Sequence, residues 1–198
     1  KEASDIILAD DNFATLIKAI EEGRTIYANI VKAIVYLLSG NLVQLSLVFI
    51  AAIMGLPTPL NPTQILWINL IADGLPALAL ATDTKNPDIL SEKPRNPKTA
   101  ILSKSRLTLI TLIGLNFAGF LILCYMLLLP NYSEPVSRTI LFNLLVFSRL
   151  GLAFFIRGKS FFKVNKLLIA AAIITILLQV IITFVPFFQT VFHLELPF

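Results

Sequence analysis

The sequence predicts an all-α fold, a polytopic transmembrane helical bundle of five spans preceded by a short cytoplasmic strand-helix segment. Composition gives the first reason. The 198 residues are 57% hydrophobic and 14% charged, with a mean hydropathy of +0.83, whereas soluble domains carry about 25% charged residues. The second reason is clustering. Apolar residues gather in five stretches, near 30–54, 64–81, 107–129, 138–156 and 167–185, each close to the ~20 residues that cross a ~30 Å hydrocarbon core as a helix. Lipid-facing open strands would leave backbone groups unpaired. The third reason is where the net charge of +4 sits. Lys85, Lys93, Arg95, Lys98, Lys104 and Arg106 separate stretches two and three, and Arg157, Lys159, Lys163 and Lys166 separate four and five. The alternate connections hold only Arg138. Cationic loops favour the cytoplasmic side, which puts the N-terminus and both basic loops there and the C-terminus outside. The charge thus reports topology and gives no reason to expect a nucleic-acid partner.

Taken in order, residues 1–28 read as soluble. The polar opening Lys1–Asp11 has no initiator Met and no signal-peptide pattern, and reads as the interior of a longer chain. Ser4–Leu8 suits a short strand. Asp10, Asp11 and Asn12 offer helix-capping oxygens, and Phe13, Leu16, Ile17 and Ile20 follow at helical spacing. Gly23 predicts a stop for that helix. A second helix then runs from Thr25 into the first span. The uncharged run from Gly55 to Pro62 predicts a tight outer turn. In span two, Gly74 and Pro76 predict a kink or local unwinding, because proline removes a donor and crowds the preceding turn. Residues 82–106 form a Pro-rich cytoplasmic loop.

Polar residues within the spans carry the chemistry. Asn41 and Gln44 share one face of span one, and Asn69 and Asp73 one face of span two. Span four holds Asn143 and Arg149. Ionised groups at membrane depth mark ion pathways or pair with one another. Asp73 with nearby amide oxygens is an all-oxygen donor set suited to Ca²⁺ or Mg²⁺, and the absence of neighbouring His or Cys argues against zinc or copper. Spacing alone leaves an equal alternative: Asn41, Asn69 and Asp73 only hydrogen-bond between helices. Asn116 and Gln179 read as interhelical hydrogen-bonding residues. Cys124 reads as a small buried hydrophobe, His193 as interfacial, and Trp67 as a packing or interface residue. No phosphate-cradling glycine loop, Ser/His/Asp set or nucleophile with a base occurs, so no enzyme site is expected within the chain.

Three groups of residues resemble a known family. Lys1–Phe13 with Glu21-Glu-Gly-Arg24 and Ile26-Tyr27 is similar to the end of the phosphorylation domain of calcium-type P-type ATPases. Gln64-Ile-Leu-Trp-Ile-Asn-Leu-Ile-Ala-Asp-Gly-Leu-Pro-Ala77 resembles the sixth transmembrane helix of that family. Pro87-Asp-Ile-Leu90 and Pro94-Arg-Asn-Pro97 resemble the following cytoplasmic loop. The resemblance implies that residues 1–28 are a remnant of the phosphorylation domain. It makes 29–198 the C-terminal cation-transporting membrane domain, with the five spans as helices five to nine. Val185–Phe192 resembles the lead-in to a tenth helix.

By the same resemblance, Asn41, Asn69 and Asp73 fall on family ion ligands. Gln44, Ala72 and Arg149 depart from the glutamate, threonine and glutamate of two-site calcium pumps. One site is therefore implied, built from Asn69, Asp73 and groups of helix four, with Asn41 nearby and Gln44 a weaker candidate. Arg149 is expected to turn inward as a counter-charge at the lost second site, because reaching an interface near Arg157 means spanning about 12 Å of helix. The implied function is the membrane ion-binding part of a multi-pass, cell-membrane pump exporting Ca²⁺ from the cytosol. ATP and Mg²⁺ would act in the full pump and not on this part. Its implied partners are the lipid bilayer and the N-terminal part of the same pump. The alternatives are a Mn²⁺/Ca²⁺ pump of the same family or a non-catalytic membrane module.

Overall fold

A computed structural model describes residues 12–85, 88–91, 100–158 and 165–197. Among these, the elements are α1 (Phe13–Ile53), α2 (Pro62–Trp67), a π-helical turn (Ile68–Ala72), α3 (Gly74–Ala81), α4 (Lys104–Leu128), α5 (Glu134–Arg157), α6 (Lys166–Phe184) and α7 (Pro186–Phe192). No strand occurs among the described residues. Five segments are long and apolar enough to cross a membrane: α1, α2 to α3 taken together, α4, α5 and α6. Large apolar side chains point outward along them, among them Leu45, Leu70, Leu127 and Phe155. That outward apolar surface suits a lipid surround, where helices satisfy their own backbone. The Ser4–Leu8 strand, the Asp10 and Asp11 caps, and the Pro94–Pro97 motif lie outside the described residues.

The first helix departs from expectation. Asn12 caps it, its Oδ1 accepting from Ala14 N at 2.9 Å, but the helix does not end at Gly23. It continues unbroken for 41 residues, about 60 Å, roughly twice a bilayer core. A helical glycine costs only ~1 kcal/mol relative to alanine and forces an end only where a left-handed residue is needed. Here the flanking Glu21, Glu22 and Arg24 are good helix formers. The extension is also held from outside: the Arg24 guanidinium donates to Ile89 O at 3.0 Å, and Lys85 pairs with Glu22 at 2.6 Å.

Gly55, at φ +67°, reverses the chain after α1, and Asn61 N donates to Gln64 Oε1 at 3.0 Å to start α2. The break in span two lies one turn before the expected Gly74–Pro76 segment. Asp73 N donates back five residues to Ile68 O at 2.8 Å, and normal α bonding resumes with Ala77 N to Asp73 O at 3.0 Å. Pro76 explains the position. It supplies no N–H to Ala72 O, and its ring crowds that carbonyl, so the preceding turn widens.

Two apolar clusters meet at this break. One contains Val43, Leu47, Ile68, Ala72, Tyr125, Phe142 and Leu145; the other contains Tyr36, Ala77, Leu80, Leu152, Ala153 and Leu168. Beyond α6, Pro186 starts the short helix α7, which folds back onto α2. Gln64 Nε2 donates to Phe192 O at 3.1 Å, and the Trp67 and Phe192 rings meet edge-on at 5.5 Å. His193 ends α7 in a left-handed conformation, φ 51°, exposed on the surface.

At the opposite, basic end, Asp83 closes the bundle just past α3. Its carboxylate accepts from Arg157 Nε at 3.1 Å and from Asn165 Nδ2 at 3.0 Å, and pairs with Lys32 Nζ at 3.3 Å. Asn29 Nδ2 donates to Asp83 O at 2.6 Å. One buried acid thus ties α3 to α1, α5 and the start of α6. Burial pushes the Asp83 carboxyl up, but the Arg157 hydrogen bond and the Lys32 and Arg157 charges outweigh it and hold it below the usual aspartate range. The depressed folded value means that its stabilisation is complete above the unfolded value of about 3.9. It is lost as pH falls below that and through the folded value. Asp83→Asn is expected to destabilise the fold by about 3 kcal/mol, by leaving buried cations unpaired, with the deficit vanishing in strong acid. Urea unfolding in detergent at neutral and acid pH measures it; a deficit independent of pH would refute the assignment.

Candidate functional site

The centre of the bundle holds one acid. Asp73, 1% exposed, sits immediately after the π turn, between the two apolar clusters. Arg149 from α5, also 1% exposed, reaches it with a two-pronged grip: Nε donates to Oδ1 at 2.8 Å, and Nη2 pairs with Oδ2. Such fork geometry is the strong form of an arginine–carboxylate contact. Tyr36 of α1 completes the group. Its ring lies under the guanidinium, 4.8 Å from Cζ to the centroid, a cation–π arrangement strengthened by desolvation. Its hydroxyl lies 3.3 Å from Asp73 Oδ1 and 3.4 Å from Ala72 O. The second acceptor is the carbonyl that Pro76 leaves without a helical donor. The one phenolic proton is shared between an acid and a broken helix.

Gly40 lies one turn beyond Tyr36 on α1, against the same guanidinium. A Cβ built there would overlap Arg149 Nη1, Cζ and Nη2. Nη1 itself has no hydrogen-bond partner among the described residues.

The other expected site residues divide. Gln44 is buried, and its Nε2 donates to Asn69 Oδ1 at 3.2 Å, joining α1 to the π turn. Asn69 is otherwise on the exposed side of that turn. Asn41 is exposed and makes no side-chain hydrogen bond among the described residues. The structure therefore brings together Asp73 with Arg149 and Gln44 with Asn69, and leaves Asn41 apart. Among the described residues no three His, Cys, Asp or Glu side chains converge. Any cation bound here would depend on amide and backbone oxygens beside Asp73, as a hard ion allows.

A second polar chain runs through the half of the bundle away from the basic end. Trp67 Nε1 donates to Gln179 Oε1 at 3.0 Å. Gln179 Nε2 donates to Asn143 Oδ1 at 3.0 Å, and Thr183 Oγ1 to the same oxygen at 3.1 Å. Gln179 therefore joins three helices. Asn116, expected to do likewise, donates to Leu112 O of its own helix at 2.7 Å, is exposed, and makes no side-chain hydrogen bond to another helix among the described residues. Cys124 is half-buried, with a free thiol.

Sequence reasoning missed Tyr36, Gly40 and the Asp83 cluster. A signal for Tyr36 existed: Pro76 orphans the Ala72 carbonyl, and a hydroxyl in a facing span is the natural donor.

With this geometry in view, comparison with known proteins is specific. Residues 57–197 match the family model described as cation transporting ATPase, C-terminus. The chain is 38% identical to calcium-transporting ATPase 1 of Bacillus cereus over 97% of its own length and 24% of the relative. It is 38% identical to the calcium-transporting ATPase of Bacillus subtilis over 98% of its length and 22% of the relative. It is 36% identical to the human calcium-transporting ATPase type 2C member 1, again over 98% and 22%. The fold and the buried acid–arginine pair thus belong to a membrane cation-transport module. The chain belongs to the cation-transporting ATPase C-terminal family, the membrane part of P-type pumps, and spans about a quarter or less of the length of these curated relatives.

Proposed function

We propose that the chain is the ion-binding membrane part of an ATP-driven pump that exports Ca²⁺ from the cytosol through a single Ca²⁺ site. Residues 1–28 complete the phosphorylation domain and 29–198 form the transport domain. The carrying observation is Asp73, the only acid in the five apolar stretches, buried after a π turn and already holding one cationic group of the protein. π turns are frequent at functional sites, and carboxylates at membrane depth serve ion paths. The relatives' names, calcium-transporting ATPases, supply the ion.

In this reading Asn69 and Asp73 are the ligands this chain contributes, with Asn41, one turn from Gln44 on α1, a further candidate and Gln44 orienting Asn69. Arg149 takes the place of a second ion. Its guanidinium is protonated at every working pH, so it repels a second divalent ion without needing a separate gate. The 41-residue α1 carries motion from the cytoplasmic part to the π turn through Tyr36 and Gln44. ATP and Mg²⁺ act on the remainder of the pump, which is this chain's protein partner in a cell membrane, and the chain alone does not hydrolyse ATP.

The expected stoichiometry is one Ca²⁺ occluded per phosphorylated pump. Isotopic Ca²⁺ occlusion measured against phosphoenzyme in reconstituted full-length protein tests it, and a ratio of two would overturn the single-site reading.

A further inference from the structure

We propose that Gly40 is the specificity-determining position that admits the Arg149 guanidinium into the core beside Asp73. This rests on the reading of Arg149 as a resident counter-charge and deepens it. The side chain that excludes a second ion needs a seat, and the seat is made by an absence on another helix.

Among glycines within described helices, Gly23, Gly119 and Gly151 have no foreign atom within 4 Å of a built Cβ, and Gly74 meets only Asn69 O at 3.9 Å. At Gly114 the space is taken by the flexible Leu42 side chain, nearest atom 2.6 Å. Gly40 alone faces a charged group: three atoms of the Arg149 head occupy the volume that any other residue's Cβ would need. That head has little freedom to yield. Asp73 holds it on one edge and the Tyr36 ring on one face. Both Arg149 and Asp73 are essentially sealed from solvent. Even a methyl group at position 40 therefore leaves two outcomes, retreat of the guanidinium from Asp73 or separation of α1 from α5. Close-packed interiors do not absorb such an overlap. Residue 149 provides the charge, and residue 40 decides whether the charge can reach its place.

The sign of the effect separates this from an ordinary helical glycine. Gly→Ala within a helix normally stabilises, since alanine is the better helix former. Gly40→Ala should do the reverse. The test is a thermal-unfolding cycle on the full-length protein in detergent, comparing Gly40→Ala, Arg149→Ala and the double variant. Gly40→Ala is expected to lower the melting temperature by several degrees. In the Arg149→Ala background the same change should be neutral or stabilising, so that removing the guanidinium rescues the alanine. Additive effects, or a Gly40→Ala protein as stable as the parent, would overturn the seat. If Gly40→Ala alone fails to fold, a folded double variant still supports the proposal, and an unfolded one refutes it.

The Ca²⁺ concentration giving half-maximal phosphorylation, measured on the folded variants, tests the counter-charge separately. A coupled stability cycle with no change in Ca²⁺ dependence on losing Arg149 would retain the seat and refute the counter-charge.

Discussion

Asp73→Asn is expected to abolish Ca²⁺-dependent phosphorylation of the full-length pump and, independently, to destabilise it. A hard cation takes both charge and lone pairs from a carboxylate, whereas an amide offers only lone pairs. The second loss follows from Arg149. With an amide in place of the carboxylate, a guanidinium 1% exposed keeps one oxygen acceptor but loses the second prong and the neutralising charge, and breaking a buried pair from one side costs about 3–5 kcal/mol. A single variant would confuse the two losses. Asp73→Asn combined with Arg149→Met resolves them: removing the orphaned charge should restore most of the stability while phosphorylation stays insensitive to Ca²⁺. Recovery of Ca²⁺ dependence in the double variant would show that Asp73 is structural and that the cation binds elsewhere. Gln44→Ala, which removes only the hydrogen bond to Asn69, should shift the Ca²⁺ requirement slightly. Damage equal to that of Asp73→Asn would overturn the ranking of these residues.

Arg149→Met is expected to act in the opposite direction on the ion. In the present structure both carboxylate oxygens of Asp73 are engaged by the guanidinium, so an arriving cation competes with a tethered one. Methionine fills much of the volume without charge. The apparent Ca²⁺ affinity should rise about tenfold, equivalent to about 1.4 kcal/mol. Thermal stability without Ca²⁺ should fall, because Asp73 is left buried with only the Tyr36 hydroxyl. Added Ca²⁺ should then restore stability by mass action. On the single-site reading proposed above, the occlusion ratio should stay at one. Unchanged or weaker Ca²⁺ affinity in a folded Arg149→Met protein would end the idea of a resident competitor.

The five spans were legible because lipid imposes length and composition on each segment separately, and no distant residue alters that requirement. The turn at Gly55–Pro62 was legible for the same local reason. Gly23 misled, because glycine's cost in a helix is small beside the packing and ion pairs that carry α1 past it, and those come from Lys85 and Ile89. Asn116 misled because spacing says which face a residue occupies and not what lies opposite.

By itself, then, the sequence determined an all-helical membrane bundle, a break in span two near Pro76, and Asp73 as the acid at membrane depth. Each of these depends on interactions within a few residues or with the solvent. The inward turn of Arg149 was also expected from the sequence, but tertiary structure alone decided that its grip on Asp73 is two-pronged, that Tyr36 answers the Ala72 carbonyl, and that Gly40 makes room for the guanidinium. It also decided that Asp83 binds four helices together. These contacts join residues far apart in the chain, and which helix face meets which is set by side-chain packing across the whole bundle, a property no single segment contains.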